Sequence, residues 1–143
     1  MKRQREDTDP FTIKQNVNGT FTLYDGIGEA TVSIKSNVEA AVLETIYITP
    51  ENRGKGNGTI FWQKIISFLQ SKGVKNLSLW ANPTWYKDST MGIDQLVNWY
   101  KNRGAKVVKY APNDPFGITG PVKMEIADIN LPVKRRIEHF VIM

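Results

Sequence analysis

The stretch that decides the fold is residues 43–72, which begin Leu-Glu-Thr-Ile-Tyr-Ile-Thr-Pro at 43–50 and continue Glu-Asn-Arg-Gly-Lys-Gly-Asn-Gly-Thr at 51–59. Pro50 cannot donate a hydrogen bond to a sheet, so it marks the end of a strand. Gly73 is the expected stop of a helix over residues 60–72. Apolar side chains recur in that helix at i, i+4, i+7 and i+8; they are Phe61, Ile65, Phe68 and Leu69. The stretch therefore predicts a strand, a glycine-rich turn and an amphipathic helix.

Three glycines alternate in the turn, at Gly54, Gly56 and Gly58. Without Cβ atoms, the backbone can bring several N–H groups close to a bulky anion, and the positive end of the following helix favours phosphate. Arg53 and Lys55 add two cations, although an ordinary Gly/Asn turn remains the alternative. The mononucleotide loop is excluded because Lys55 is not followed by Ser or Thr, and the dinucleotide fingerprint because the third glycine comes one residue early.

The pattern Arg53-x-x-Gly56-x-Gly58 resembles the R/Q-x-x-G-x-G/A signature of the GNAT superfamily of acyl-CoA-dependent N-acetyltransferases. The resemblance extends upstream along L-E-x-I-x-I-x-P-E-x-R-G-K-G-x-G. Residues 98–105, Asn-Trp-Tyr-Lys-Asn-Arg-Gly-Ala, are similar to the later Tyr-x-x-x-Gly-Phe element, and in detail to the spermidine/spermine branch. The length of 143 residues predicts one domain, and the resemblance implies that this domain, residues 1–143, is acetyltransferase-like. Its fold would be α+β, a mixed sheet of six or seven strands with two main helices and a shortened N-terminal region.

The N-terminal half predicts an antiparallel meander without helices. Alternation and Gly/Asn turns indicate strands over residues 11–14, 20–24, 29–36 and 39–49, after a charged, flexible leader at 1–9. In the last of these strands Leu43 departs from alternation, and we expect Ile46 and Ile48 to share one face with Glu44. GNAT proteins usually place two helices over the acceptor site between their first two strands. The resemblance therefore implies that this cover is missing, truncated or supplied elsewhere.

The second half alternates strands and a helix. We expect strands at 76–81, 105–110, 122–127 and 137–142, an insertion at 84–91 and a proline-rich loop at 112–121. The strand–helix–strand unit over 43–81 requires a right-handed crossover and so a parallel pair. A helix over 93–103, stopped at Gly104, carries one apolar face, made of Ile93, Leu96, Val97 and Tyr100.

The composition excludes several classes of protein. There is no cysteine, so disulfides and a thiol nucleophile are excluded, and His139 is the single histidine, so we expect no metal site. No apolar run approaches the roughly 20 residues that cross a membrane, and the N-terminus lacks the apolar segment of a secretory signal. We therefore expect a cytoplasmic protein without a membrane partner.

The net charge of +5 and the pI near 9.5 suit a polyanionic cofactor, and they are also typical of nucleic-acid binding. The two basic clusters, at residues 2–5 and 134–136, are short and lack interleaved aromatic residues, so we expect solvated tails rather than a nucleic-acid site. A nuclear address in the first cluster and a homodimer are left open.

Acetyl transfer to an amine needs a base, because an amine of pKa near 10.4 is neutral in only about one molecule in a few thousand at pH 7. The resemblance implies Glu44 as that base, with a plain surface carboxylate as the alternative and Glu39 and Asp94 as competitors. A phenol can protonate the departing thiolate. The resemblance implies Tyr100 for this role, with a buried core aromatic as the alternative.

The resemblance also implies acetyl-CoA as co-substrate, held by the turn and by backbone N–H groups of the strand end. The implied contacts are Ile46, Tyr47, Ile48, Arg53, Gly54, Lys55, Gly56, Asn57, Gly58, Thr59 and, for pantetheine, Asn82. With no thiol, we expect direct attack in a ternary complex. The acceptor is left open between a polyamine or other small amine and a protein lysine or N-terminus; acidic candidates for its site are Glu29, Glu39, Glu44, Asp88 and Asp94. The other function class is a non-catalytic CoA-binding or nucleic-acid-associated module.

Overall fold

The computed structural model describes residues 12–35, 39–82, 92–111 and 121–132. These residues hold the predicted fold class, a mixed seven-stranded sheet with two α-helices. The chain divides into two compact units, Met1–Lys75 and Asn76–Met143. The elements are β1 (Thr12–Gln15), β2 (Thr20–Tyr24), β3 (Gly28–Lys35), β4 (Ala40–Ile48), α1 (Asn57–Ser71), β5 (Asn76–Ala81), α2 (Ile93–Lys101), β6 (Lys106–Tyr110) and β7 (Val122–Ile126), with a 3₁₀ turn at Pro50–Asn52.

In the first unit, β1 to β4 form an antiparallel meander in chain order. The β1–β2 connection is a short turn in which Asn18 and Gly19 both have positive φ, 61° and 76°. These are residue types that adopt the left-handed conformation at low cost. Residues 12–35 contain no helix, so the predicted helix-free meander is confirmed there.

One face of the meander is buried beneath α1. Leu23, Ala30 and Val32 are fully buried on that face, and the ring of Phe21 meets Phe68 of α1 edge-on at 5.4 Å. Lys64 of α1 also forms an ion pair of 2.7 Å with the carboxylate in the β2–β3 turn. The helix is therefore fixed to the sheet by apolar packing along its length and by one well-buried charge pair.

The helix α1 begins and ends on glycines. It starts at Asn57, a few residues earlier than predicted, directly after Gly56 in the left-handed conformation. At its other end Gly73 has φ of 80° and donates to the Gln70 carbonyl at 3.1 Å. The next N–H, of Val74, reaches back to the carbonyl of Leu69 at 3.0 Å, which completes a Schellman motif. The predicted stop at Gly73 is confirmed.

A β-bulge at Glu44 interrupts β4. Leu43 and Thr45 pair with consecutive residues of β3, which leaves Glu44 as the extra, unpaired residue. The extra residue reverses the alternation, so Ile46 and Ile48 lie on the same face as Leu43, the face that α1 covers. The prediction that they share a face with Glu44 is wrong. The break in alternation at Leu43, seen in the sequence, is explained by this bulge.

Gly28 is required by a close approach of β3 to β4. A Cβ atom at Gly28 would overlap the carbonyl oxygen of Tyr47 and lie 3.1 Å from the Cα of Ile48. We expect Gly28→Ala to lower the free energy of unfolding by about 1–3 kcal/mol, because two paired strands must move apart. Urea denaturation measures the change. Glu29→Ala, at the next and exposed position, should stay within about 0.5 kcal/mol, and an unchanged midpoint for Gly28→Ala would contradict the approach.

In the second unit, β7 lies between β5 and β6 and is antiparallel to both. The buried positions of β5 and β7 face one another in register, and they are Leu77, Leu79, Ala81, Val122, Met124 and Ile126. The helix α2 ends at Lys101, two residues before the predicted end. Gly104 follows with φ of 99° and donates to the Lys101 carbonyl at 3.0 Å, as expected of a helix stop.

Four predicted segments lie outside the described residues: the leader at 1–9, the insertion at 84–91, most of the loop at 112–121 and the strand at 137–142. Neither of the two helices that the structure describes has the length and apolar character to cross a membrane.

Candidate functional site

The turn between β4 and α1 is held in place by three side chains. Arg53 donates through Nε to the carbonyl of Ile48, the last residue of β4, at 2.8 Å. Asn52 donates to the carbonyl of Gly26 at 3.2 Å, and Asn57 donates to the carbonyl of Asn52 at 3.0 Å. These bonds join the turn to the end of β4, to the β2–β3 turn and to the first residue of α1. The turn is thereby preorganised rather than dependent on a ligand for its shape.

The glycines of the turn leave open space above it. Gly54 and Gly56 have φ of 75° and 79°, and a Cβ atom at either would meet nothing within 4 Å. The need for glycine is therefore conformational here. Both residues and Lys55 between them are exposed. A ligand approaching this turn meets backbone and one flexible cation instead of packed side chains.

The start of α1 adds the electrostatics of an anion site. The N–H groups of Asn57 and Gly58 belong to the first helical turn, where the helix itself supplies no carbonyl partner. No acidic residue occurs in that turn, so the positive end of the helix dipole is not neutralised locally. Arg53, which also lies over the ring of Tyr47 at 5.2 Å, brings a second cation to the same turn. The arrangement suits a phosphate or pyrophosphate group.

The backbone N–H groups of β4 point alternately to the two sides of the strand. The N–H of Thr49 donates to the carbonyl of Ile27 at 3.0 Å, which continues the β3–β4 ladder. Because antiparallel pairs alternate between bonded and non-bonded, the N–H of Tyr47 points toward β3, whereas those of Ile46 and Ile48 point away. These two outward N–H groups are about 7 Å apart along the strand.

Glu44 lies on the face of the meander opposite α1. Its carboxylate is exposed and accepts a hydrogen bond of 2.9 Å from the hydroxyl of Ser33 in β3. The sequence did not single out Ser33, because nothing in β3 alone indicates which of its polar residues meets the bulge. The competitor Glu39 is exposed in the turn before β4, with φ of 55°, and its carbonyl accepts the N–H of Lys75 at 2.8 Å.

The other implied site residues belong to the second unit. Tyr100 is 3% exposed, its ring meets Trp99 edge-on at 5.3 Å, and it is the one buried residue of α2. Asn82 is half-buried directly after β5. Asp94, the second competitor of Glu44, is exposed in the first turn of α2 and borders a groove of about 340 Å³ between that helix, β6 and β7. Asp88 lies outside the described residues.

No protein-family model and no curated protein matches the sequence. Solved structures do match, and several of them are named as N-acetyltransferases. Tetrahymena GCN5 superposes with a TM-score of 0.57 at 13% identity, over 80% of this chain and 72% of that chain. An aminoglycoside 6′-N-acetyltransferase complexed with coenzyme A gives 0.59 at 14%, over 81% and 76%. The ribosomal-protein-S18-alanine N-acetyltransferase from Escherichia coli gives 0.55 at 16%, over 85% and 76%.

The chain therefore has the fold of the GNAT superfamily, as the sequence predicted. The likeness is not specific to the spermidine/spermine branch, because two of these neighbours are named for different acceptors, an aminoglycoside and the alanine of ribosomal protein S18.

Proposed function

We propose that the chain is an acetyl-CoA-dependent N-acetyltransferase acting on a primary amine. The observation that carries this proposal is the turn at residues 53–58. It is anchored to the end of β4 by Arg53, has Gly54 and Gly56 in the left-handed conformation and opens onto the start of α1. On a GNAT fold, such a turn is the place for the pyrophosphate of a CoA thioester.

The residues present suit acetyl-CoA in two respects. The turn and the first turn of α1, residues 54–59, supply N–H groups to the pyrophosphate, with Arg53 and Lys55 as counter-charges. The outward N–H groups of Ile46 and Ile48 suit an extended arm and a thioester carbonyl, where developing negative charge is stabilised by a fixed donor. Asn82 is assigned to pantetheine by the resemblance. The neighbouring aminoglycoside enzyme, which is complexed with coenzyme A, supports the same cofactor.

The reaction is a direct transfer in a ternary complex. The amine nitrogen attacks the thioester carbonyl carbon, the C–S bond breaks, and an amide and free CoA are formed. Glu44 takes the ammonium proton, directly or through a water molecule, and Tyr100 protonates the departing thiolate; the second proton of the nitrogen, released as the amide forms, replaces the one that Tyr100 gave. Acetyl-CoA supplies the acetyl group, and no further co-reactant is needed.

The variant Tyr100→Phe tests whether Tyr100 is the general acid that protonates the thiolate. We expect kcat to fall about 100-fold while the affinity for acetyl-CoA stays within about twofold. The loss lies at the lower end of the range for general acid–base groups because a thiolate of pKa near 8.5 is already a fair leaving group. Steady-state kinetics and calorimetry measure the two quantities. Trp99→Phe changes the aromatic neighbour of Tyr100 without touching the phenol and serves as the control. Wild-type turnover in Tyr100→Phe would make the tyrosine a core residue only.

An acceptor panel tests the function itself. Acetyl-CoA turnover is measured against polyamines, aminoglycosides and histone-like peptides, which separate small amines from protein lysines and N-termini. Turnover with one class identifies the acceptor. If acetyl-CoA binds but no amine is acetylated, the non-catalytic CoA-binding module becomes the better description. We also propose a single domain over residues 1–143 and a cytoplasmic location.

A further inference from the structure

Three polar side chains are joined across three neighbouring strands on the face of the meander opposite α1. The hydroxyl oxygen of Thr20 in β2 lies 3.2 Å from that of Ser33 in β3, and these residues are direct partners in the ladder. The Ser33 hydroxyl in turn lies 2.9 Å from Oε2 of Glu44, the bulged residue of β4. The chain of contacts ends on the carboxylate assigned above as the base.

The direction of the hydrogen bonds follows from the chemistry of a hydroxyl group. Ser33 has a single hydrogen to donate, and a carboxylate oxygen can only accept, so that hydrogen is used on Glu44. The contact between Ser33 and Thr20 must then be donated by Thr20. The order of donation is Thr20 to Ser33 to Glu44, which leaves the second carboxylate oxygen, Oε1, to receive a proton.

We propose that Ser33 and Thr20 are positioning residues that orient Glu44 for proton removal from the acceptor amine. The inference rests on the proposed function and adds that the amine reaches Glu44 over the face of β2–β4 that α1 does not cover. Ser33, Thr31 and Thr45 on that face are all half-buried rather than buried, so a substrate can reach them.

A purely structural role does not account for the arrangement. Hydrogen bonds between groups that water can reach contribute little to the stability of the fold, because water replaces the lost partner. The effect of these hydrogen bonds on catalysis is larger than their effect on stability, because a glutamate held in one rotamer keeps its free oxygen where the amine proton is delivered. The bulge also contributes to the orientation of Glu44, because it removes this residue from the regular ladder and sets it beside Ser33.

The first test separates positioning from stability. We expect Ser33→Ala to lower kcat about tenfold with KM for acetyl-CoA and the urea midpoint unchanged, and Ser33→Thr, which keeps the hydroxyl, to restore at least half of the activity. Thr20→Val should lower kcat about threefold, because Thr20 acts on Glu44 only through the hydroxyl of Ser33. Thr22→Val is the matched control: it lies on the same strand and face, but its hydroxyl accepts from Asn16. Wild-type kcat in Ser33→Ala overturns the proposal.

A double-mutant cycle then asks whether Ser33 acts through Glu44. In the Glu44→Gln background, Ser33→Ala should change kcat by less than about twofold. A full tenfold loss in that background would show that Ser33 acts by another route and would overturn the proposal. The wild-type protein separates a failure of the positioning role from a failure of the proposed function. If the wild type acetylates an amine and Ser33→Ala does so with the same kcat, only the positioning role is contradicted. If it acetylates no amine, the proposed function falls as well.

Discussion

Replacement of Gly56 by aspartate will weaken acetyl-CoA binding by at least about 100-fold. The residue caps α1 with φ of 79°, and the space above it is open, so the new carboxylate projects into the position proposed for the pyrophosphate. Like charges in contact at a binding surface cost several kcal/mol, and 100-fold corresponds to about 2.7 kcal/mol. Isothermal titration calorimetry measures the affinity, and circular dichroism shows whether the variant is folded.

Gly56→Asn is the matched control for that experiment. Asparagine has nearly the same shape as aspartate, and both adopt the left-handed conformation more readily than other side chains. The two variants therefore share the backbone strain and differ in one negative charge. We expect Gly56→Asn to lose no more than about tenfold in affinity. Equal affinities of the two variants would show that charge plays no part here, and an unchanged affinity of folded Gly56→Asp would remove the pyrophosphate from this turn.

Glu44→Gln will lower kcat about 1000-fold at pH 7 and will recover as the pH is raised. The glutamine cannot accept the amine proton, so reaction depends on the neutral fraction of the acceptor, about one molecule in a few thousand at pH 7. That fraction rises about tenfold per pH unit below the amine pKa. We therefore expect the rate of the variant to rise about tenfold per unit between pH 7 and pH 9, measured with a saturating acceptor.

The control for Glu44→Gln is Glu125→Gln, which removes a half-buried strand carboxylate in β7. It should keep the wild-type rate and pH profile. Two results would contradict the role of Glu44: wild-type turnover of Glu44→Gln at pH 7, or a large loss that does not depend on pH. The second result would indicate that the carboxylate binds the acceptor or holds the strand instead of removing a proton.

Local sequence patterns were enough for much of this fold. The bounds of β2 and β5 were predicted to the residue, and both glycine stops after the helices are confirmed. These features depend on contacts between residues close in the chain, such as the Schellman bond from Val74 to Leu69. The glycine turn is local in the same sense, since Gly54 and Gly56 have the positive φ that glycine permits. The helix-free meander followed from alternation and from Gly/Asn turns.

The face on which Glu44 lies, and the side chains that its carboxylate contacts, were decided by the tertiary structure alone. Within β4, a period of two cannot show which residue is left unpaired, because a bulge exists only relative to the partner strand. The register with β3 makes Glu44 the extra residue, turns Ile46 to the buried face and sets the carboxylate beside Ser33, 11 positions away in the chain. Thr20 joins through a contact between residues 13 apart. Such contacts are fixed by how the strands pair in the folded chain, and the break in alternation at Leu43 indicated the bulge without showing which residues meet across it.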